Sequence, residues 1–262
     1  MRRLLIRPGA IGDFIVSLPA LECLRAEYTE VWAASPNVPL IRFANRARAI
    51  ASTGLDLLAV AEPPPALLED LRGFDSILSW YGANRPEFRA TVHELGLPFT
   101  FFSALPPDLP GRHAADFYLD QARTIAACVS DGVPRLPCAA EREDFAVIHP
   151  FSGSPRKNWP LEKFRALACG LQRVMPVRWC SGREDPPLED AVHIDNLWEL
   201  GGWLARARLY VGNDSGITHL AAAVGAPVLA LFGPTDPAVW GPRGTHVRIA
   251  RWESGGDEVG IP

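Results

Sequence analysis

Lysine is almost missing from this chain. Of its 26 basic residues only Lys157 and Lys163 are lysines, which leaves 24 arginines. With 25 prolines and abundant alanine, this is a composition in which arginine is the default cation, so a retained lysine is informative. No apolar run approaches the roughly 18 residues of a membrane-spanning helix, and the reading is of a chain without one. Basic charge does not dominate either. The 30 acidic residues leave a net charge of −4, which argues against nucleic acid as a bulk electrostatic partner. The five cysteines, Cys23, Cys128, Cys138, Cys169 and Cys180, are odd in number and fit no metal or redox spacing. They read as reduced thiols of a cytosolic protein. No Asp-x-Asp pair is present, so a divalent-metal clamp of that type is unsupported, and His193-Ile194-Asp195 has no evident third ligand. There is no Gly-x-Ser-x-Gly nucleophile elbow and no Gly-x-Gly-x-x-Gly dinucleotide turn. No metal and no cofactor are expected.

What is present is a globular composition. Hydrophobic residues make up 48% of 262, enough for one large domain or two smaller ones. The chain enters a strand at once (Leu4-Leu5-Ile6) with no long apolar segment before it, so a secretory signal is not expected. Peripheral contact with a membrane stays open. Short apolar runs then alternate with helical patterns. Strands are expected at 31–34, 57–60, 76–80 and 99–102, and helices from Ile15 to Leu24, with Pro19 kinking or interrupting, and at 38–49, 66–73 and 114–129. Residues 130–144, rich in proline and charge, read as a linker. The pattern restarts with strands at 145–148, 177–180 and 191–194, helices at 160–174 and 196–206, and a last strand at 247–249 before a tail from Glu253. This predicts two α/β domains with parallel sheets, residues 1–140 and 141–262.

Three loops carry chemistry. The first, Pro8-Gly9-Ala10-Ile11-Gly12-Asp13, turns into a helix, and its glycines allow close backbone approach. Asp13 reads either as a first-turn or capping carboxylate favoured by the helix dipole or as a general base that takes a proton from a sugar hydroxyl. The second runs from His149 to Pro160. Ser152, Gly153 and Ser154 offer donors, and Arg156 and Lys157 offer charge to a departing diphosphate. A solvated basic turn is the plainer account. Trp159 reads as packing behind this loop, and His149 either orients it or is a satisfied structural histidine. The third is Gly212-Asn213-Asp214-Ser215-Gly216-Ile217-Thr218-His219, followed by a helix without a polar face and by Gly233-Pro234-Thr235-Asp236 after the next strand. Ser215, Gly216 and Thr218 are candidate phosphate donors at a helix N-terminus. Asp214 binds a sugar hydroxyl or caps the helix. His219 meets the ligand or the neighbouring loop, and Gly233 and Thr235 border the same site.

Taken in order, RPGAIGDFIVSLPAL, HPFSGSPRKNWPLEKF and NDSGITHLAAAVGAPVLALFGPTDP resemble the glycosyltransferase family 9 heptosyltransferases, the ADP-heptose:lipopolysaccharide type. The resemblance implies a GT-B fold, two Rossmann-like doubly wound domains facing each other across a cleft. The nucleotide-diphospho-sugar (ADP-heptose) lies on the second and a glycan or lipid-linked acceptor mainly on the first. It implies inverting, metal-independent transfer in the cytoplasm. The family's catalytic aspartate falls on Asp13, its phosphate-binding lysine on Lys157, and its donor motif on Asp214, Ser215, Gly216 and His219, with Gly12 beside the base. The chain departs from the family at Phe151-Ser152-Gly153-Ser154, where a Gly-Ala-type turn is more usual. Only 251–262 follow the last strand, fewer residues than the family's returning helices use. A sugar-nucleotide-binding module without catalysis is the alternative reading.

Overall fold

A computed structural model describes residues 1–60, 63–107, 111–138 and 140–253. Ten strands and eight helices alternate among them: β1 (Arg2–Arg7), α1 (Ile11–Cys23), β2 (Tyr28–Ala33), β3 (Arg46–Ala49), α2 (Pro65–Arg72), β4 (Ser76–Ser79), α3 (Pro86–Glu94), β5 (Phe99–Phe101), α4 (Ala114–Arg123), β6 (Glu143–His149), α5 (Leu161–Leu171), β7 (Val177–Trp179), α6 (Leu197–Ala205), β8 (Ala207–Asn213), α7 (Gly216–Ala223), β9 (Val228–Phe232), α8 (Pro237–Trp240) and β10 (Val247–Arg251). They form two all-parallel five-stranded sheets, ordered β3-β2-β1-β4-β5 and β10-β9-β8-β6-β7. In each, the direction of winding reverses once, between β1 and β4 and between β6 and β8. Ligands of open α/β sheets bind at the carboxyl ends of strands at such switch points. The loops after β1, β6 and β8 are the three that carry the sequence motifs.

The burial of β1 explains its run of apolar residues. Leu4, Leu5 and Ile6 are all at 0% exposure because helices cover both faces. One apolar cluster spans the two halves: Phe14, Leu18 and Leu21 of α1, Tyr118 and Leu119 of α4, Leu220 of α7 and Phe145 of β6 all belong to it. Helix α1 is buried from Phe14 through Leu21, and α7 from Thr218 through Ala223. Polar ties cross the same boundary. Arg243 grips the Asp116 carboxylate at 2.7 and 2.5 Å, and the His113 imidazole donates to Gly241 O at 2.8 Å. His113 Nδ1 accepts from Ala115 N, so the ring is held as the Nε2–H tautomer.

Several expectations are corrected. Residues 38–49 are not a helix: Ser35–Leu40 forms a 3₁₀ turn punctuated by Pro36 and Pro39, and 46–49 is β3, added to β2. Residues 57–60 are not a strand. Leu55 and Leu58 are buried with a spacing of three, which a 3₁₀ turn satisfies. Helix α3 escaped notice, although Phe88 and Val92 have helical spacing and Pro86 opens it. Helix α4 ends at Arg123, short of 129. Residues 191–194 supply only a bridge from Val192 to Cys180. Helix α1 starts at Ile11 rather than Ile15 and runs without interruption through Pro19. The cysteines are not all free. Packing of α1 on α4 brings Cys23 and Cys128 into a disulfide, leaving Cys138, Cys169 and Cys180 as thiols. Residues 130–138 and 140–142 form neither helix nor strand, β6 begins at Glu143, inside the expected linker, and residue 139 lies outside the described residues. Most of the tail from Glu253 also lies outside them. Among the described residues no helix is long and apolar enough to cross a membrane.

Candidate active site at the facing helix starts

Asp13 lies in the first turn of α1, half-buried. It does not cap the helix: Ala10 occupies that position and gives no side-chain bond. Gly9, at φ +129°, leaves open a space flanked by Asp13 and Arg7. A Cβ placed there would lie 3.7 Å from Asp13 Oδ2 and 3.8 Å from Arg7 Nη1. Arg7 is 1% exposed. Its guanidinium donates to Ser17 Oγ, to the carbonyls of Pro8 and Ala104, and to Asp13 O. It also lies 4.6 Å from the Tyr118 ring centre. Burial lowers its affinity for a proton, while Tyr118 and Asp13 oppose that. This side chain braces the loop and the first turn together. It was missed because an arginine in an arginine-rich chain carries no signal of its own.

The starts of α1 and α7 touch. A Cβ on Gly216 would fall 2.7 Å from Ile11 Cβ and 3.0 Å from Gly12 N, and one on Gly12 would fall 3.3 Å from His219 Cδ2. Each helix start carries partial positive charge and N–H groups without intrahelical acceptors. Ser215 caps α7, its Oγ accepting from Thr218 N at 3.3 Å. The backbone N–H groups of Gly216 and Ile217 are left as donors by helix geometry. Thr218 itself is turned inward. It is 1% exposed, and its hydroxyl donates to Asn213 O at 2.5 Å and meets Tyr210 Oη at 3.2 Å. His219 is also buried. Burial pushes its pKa down to about 4 against the pull of Asp214, with His113 and Lys157 pushing further down, so the ring is neutral near pH 7.

The loop after β6 is stitched to the α7 start by Asn213, which is at 0% exposure. Its amide donates to Pro150 O at 2.7 Å and accepts from Trp159 N at 2.9 Å. This brings Lys157 to Asp214, Nζ to Oδ2 at 2.7 Å. Asp214 therefore pairs with lysine and does not cap α7. Ser152 is occupied within its own loop by Ser154 O and Asn158 Oδ1, while Gly153 is exposed and Ser154 half-buried. Trp159 packs edge-on against Phe164, as a supporting residue does. His149 bonds through Nε2 to Asp185 at 3.1 Å. Burial raises the Asp185 pKa, but His149 and the Gly182 N–H draw it down more, so the carboxylate is ionised and the histidine is the donor. Gly233 lies under the Trp252 indole, 2.6 Å from where its Cβ would be, and Thr235 is half-buried beyond it. Among the described residues no hydrogen bond or ion pair joins Asp13 to Lys157 or Asp214. What meets directly is Gly12 with Gly216 and His219, and Lys157 with Asp214.

Residues 99–256, more than half of the chain, match the family model described as glycosyltransferase family 9 (heptosyltransferase). The chain belongs to glycosyltransferase family 9. Lipopolysaccharide heptosyltransferase 3 of Escherichia coli K12 is 30% identical over 144 residues, covering 48% of this chain and 42% of that protein. Lipopolysaccharide heptosyltransferase 1 of Pseudomonas aeruginosa is 41% identical over 101 residues, 34% of this chain and 28% of that one. The family 9 chain thus spans less than half the length of the curated relatives it matches. It superposes on the solved E. coli ADP-heptose lps heptosyltransferase II with a TM-score of 0.72 at 20% identity, covering 95% of this chain and 90% of that one. For the Veillonella parvula family 9 structure the TM-score is 0.74 at 17% identity, with 96% and 86% covered. At such identities the likeness is one of fold, and the fold is GT-B: two Rossmann-like parallel sheets whose ligand loops face each other.

Proposed function

We propose that this family 9 chain moves a sugar, a heptose by analogy with its relatives, from a nucleotide-diphospho-sugar to a hydroxyl of a glycan or lipid-linked acceptor. One observation carries the reading. The α1 start, with Asp13 one residue past Gly12, is packed on the α7 start, so the turn that carries Asp13 meets a helix terminus of the other half that is suited to an anion. The Asp13 carboxylate takes the proton of the acceptor hydroxyl as its oxygen attacks the anomeric carbon. The bond from that carbon to the diphosphate breaks on the opposite face, which inverts the centre. The departing diphosphate is met by the Gly216 and Ile217 N–H groups and by Lys157, with Ser154 and the Gly153 backbone at the loop edge. Asp214 holds Lys157 ready and then shares it with the phosphates. Preorganised donors of this kind stabilise charge in the transition state, so the path requires no metal. Arg7 and Asn213 position the two loops.

The division into residues 1–140 and 141–262 is the working boundary between acceptor and donor halves. In this reading the reaction takes place in the cytoplasm, with a lipid-linked acceptor presented at the inner face of the membrane. The test is turnover of ADP-heptose, by transfer and by slow hydrolysis. Asp13→Asn and Lys157→Ala are each expected to lose about 10²–10³ in rate while staying folded. Near-wild-type turnover in Asp13→Asn would remove it as the base. Tight ADP binding with neither hydrolysis nor transfer would leave a binding module instead.

A further inference from the structure

Tyr210 lies on β8 at 0% exposure, and the proposed transfer gives it no part. Its hydroxyl is nevertheless placed with care. Tyr210 and Gly212, two apart, share one face of the strand. A Cβ on Gly212 would fall 2.5 Å from Tyr210 Oη and 2.9 Å from the ring carbons Cε1 and Cζ. The Gly212 backbone does not take a positive φ, so no turn accounts for this glycine. The tyrosine does. Its phenol runs past Gly212 to the start of α7, where Oη lies 3.2 Å from Thr218 Oγ1.

The protons around that oxygen follow from the partners. A carbonyl only accepts, so the Thr218 proton is committed to Asn213 O at 2.5 Å. Thr218 Oγ1 then has two acceptor positions left. Burial raises the pKa of Tyr210, which keeps its proton and donates it to one of them. Ser215 Oγ, 3.2 Å from the same oxygen, donates to the other. Ser215 Oγ also accepts from Thr218 N, which fixes the oxygen but leaves the direction of its own proton free. Thr218 and Tyr210 are closed off at 1% and 0% exposure. Ser215, at 9%, is the most open of the three and adjoins Gly216 and Ile217, whose N–H groups have no intrahelical acceptor. The Ser215 proton is the one in this set that can turn outward.

We propose that Tyr210 is a positioning residue for the departing diphosphate, one that releases the Ser215 hydroxyl to the anion. When a phosphate oxygen reaches the α7 start, the Ser215 proton rotates from Thr218 Oγ1 to it. Thr218 Oγ1 keeps the Tyr210 donor, so the buried oxygen is not stranded. Without the phenol hydroxyl the same rotation would leave Thr218 Oγ1 accepting from nothing, which is costly for a buried group. Ser215 would then stay bonded to Thr218 and turn a lone pair toward the phosphate. This role rests on the transferase reading, which puts the diphosphate at this helix start.

The experiment is calorimetric titration of the full chain with ADP, adenosine and inorganic diphosphate. Wild type is expected to bind ADP at least about tenfold more tightly than adenosine. Tyr210→Phe is expected to lose about tenfold in affinity for ADP and for inorganic diphosphate, with adenosine unchanged. A phenol that only fills the core would change stability and leave the ratio of ADP to adenosine affinity alone. Gly212→Ala pushes the same hydroxyl aside without removing it and should lower the ratio likewise. It serves as the second variant should Tyr210→Phe fold poorly. In Ser215→Ala the proton in question is gone, so adding Tyr210→Phe should change the ratio by less than about twofold. Unchanged ratios in both single variants, a parallel loss of ADP and adenosine, or an undiminished effect of Tyr210→Phe beside Ser215→Ala would each overturn the proposal. A wild type that does not prefer ADP to adenosine would overturn it together with the placing of the diphosphate. The readout is binding and not turnover. An ADP preference that depends on Tyr210 in a chain that never cleaves ADP-heptose would sink the transferase reading alone. Turnover with a preference that Tyr210→Phe leaves untouched would sink only this one.

Discussion

Replacing Gly216 by alanine tests the contact that brings the two halves of the site together. The added methyl would lie 2.7 Å from Ile11 Cβ, 3.1 Å from Ile11 Cγ2 and 3.0 Å from Gly12 N. Carbon atoms in contact sit about 3.5–4.0 Å apart, so something must move by roughly 1 Å. The obstructing atoms are backbone and a Cβ, which no rotamer change can clear. The starts of α1 and α7 must separate. Two effects compete in stability. Alanine in place of glycine favours a helix by up to about 1 kcal/mol. Overpacking a tight contact costs about 1–3 kcal/mol. The net expectation is a destabilisation of about 1–2 kcal/mol, read by urea denaturation. Turnover is the sharper assay, because a displacement of about 1 Å between reacting groups costs on the order of 10²-fold. Gly202→Ala in α6 is the control. No atom lies within 4 Å of its added methyl, so it should stabilise by about 0.5–1 kcal/mol and leave turnover alone. If Gly216→Ala is as stable as wild type and turns over normally, the helix starts do not meet in solution and the argument for a shared site fails.

Other expectations follow from the same geometry. His219 has a folded-state pKa of about 4 against an ordinary 6.5. The unfolded chain therefore binds the extra proton, and stability falls as pH drops from 6.5 toward 4, by on the order of 3 kcal/mol. Denaturation at several pH values should show this fall in wild type and a shallower one in His219→Gln, where His113, whose pKa burial also lowers, remains. Asn213→Ala strips the partners from Pro150 O and Trp159 N and should cost about 1–3 kcal/mol. It should also weaken ADP binding in a titration by freeing the Lys157 loop, and unchanged affinity would show that Asn213 does not position it. The Cys23–Cys128 bond closes a loop with a sequence separation of 105. Its removal in Cys128→Ser should lower stability by about 2–4 kcal/mol, with about 4.7 as the chain-entropy ceiling for a loop of this size. Added dithiol should destabilise wild type similarly and leave the variant unchanged; a dithiol effect on both would place the sensitivity elsewhere.

The local pattern made the scaffold legible. Buried parallel strands need short apolar runs, and Leu4-Leu5-Ile6 and 145–148 are such runs. Helix α7 read as buried because residues 220–224 offer no polar face. The errors fall where side-chain pattern is weak. The segment 46–49, Arg-Ala-Arg-Ala, has no strand signature and becomes β3 only because β2 offers it an open edge. Leu55 and Leu58 fit several periods, and only their burial chose the 3₁₀ turn.

The motif residues at the three loops were likewise readable, since glycines, a capping serine and a scarce lysine stand out at strand ends. Their division of labour was not. Thr218 and Ser152 look like ligand donors in sequence, yet both hydroxyls are consumed inside the fold. Arg7 and Asn213 were given no role of their own from sequence, yet they hold the loops. Sequence alone determined the two parallel sheets and which loops would lie at their carboxyl ends, because strand burial and helix periodicity are properties of neighbouring residues. Only tertiary structure decided that Gly12 meets Gly216, that Lys157 reaches Asp214, and that Cys23 joins Cys128. Those contacts join residues from 57 to more than 200 positions apart, and nothing local in the chain encodes the packing that closes such distances.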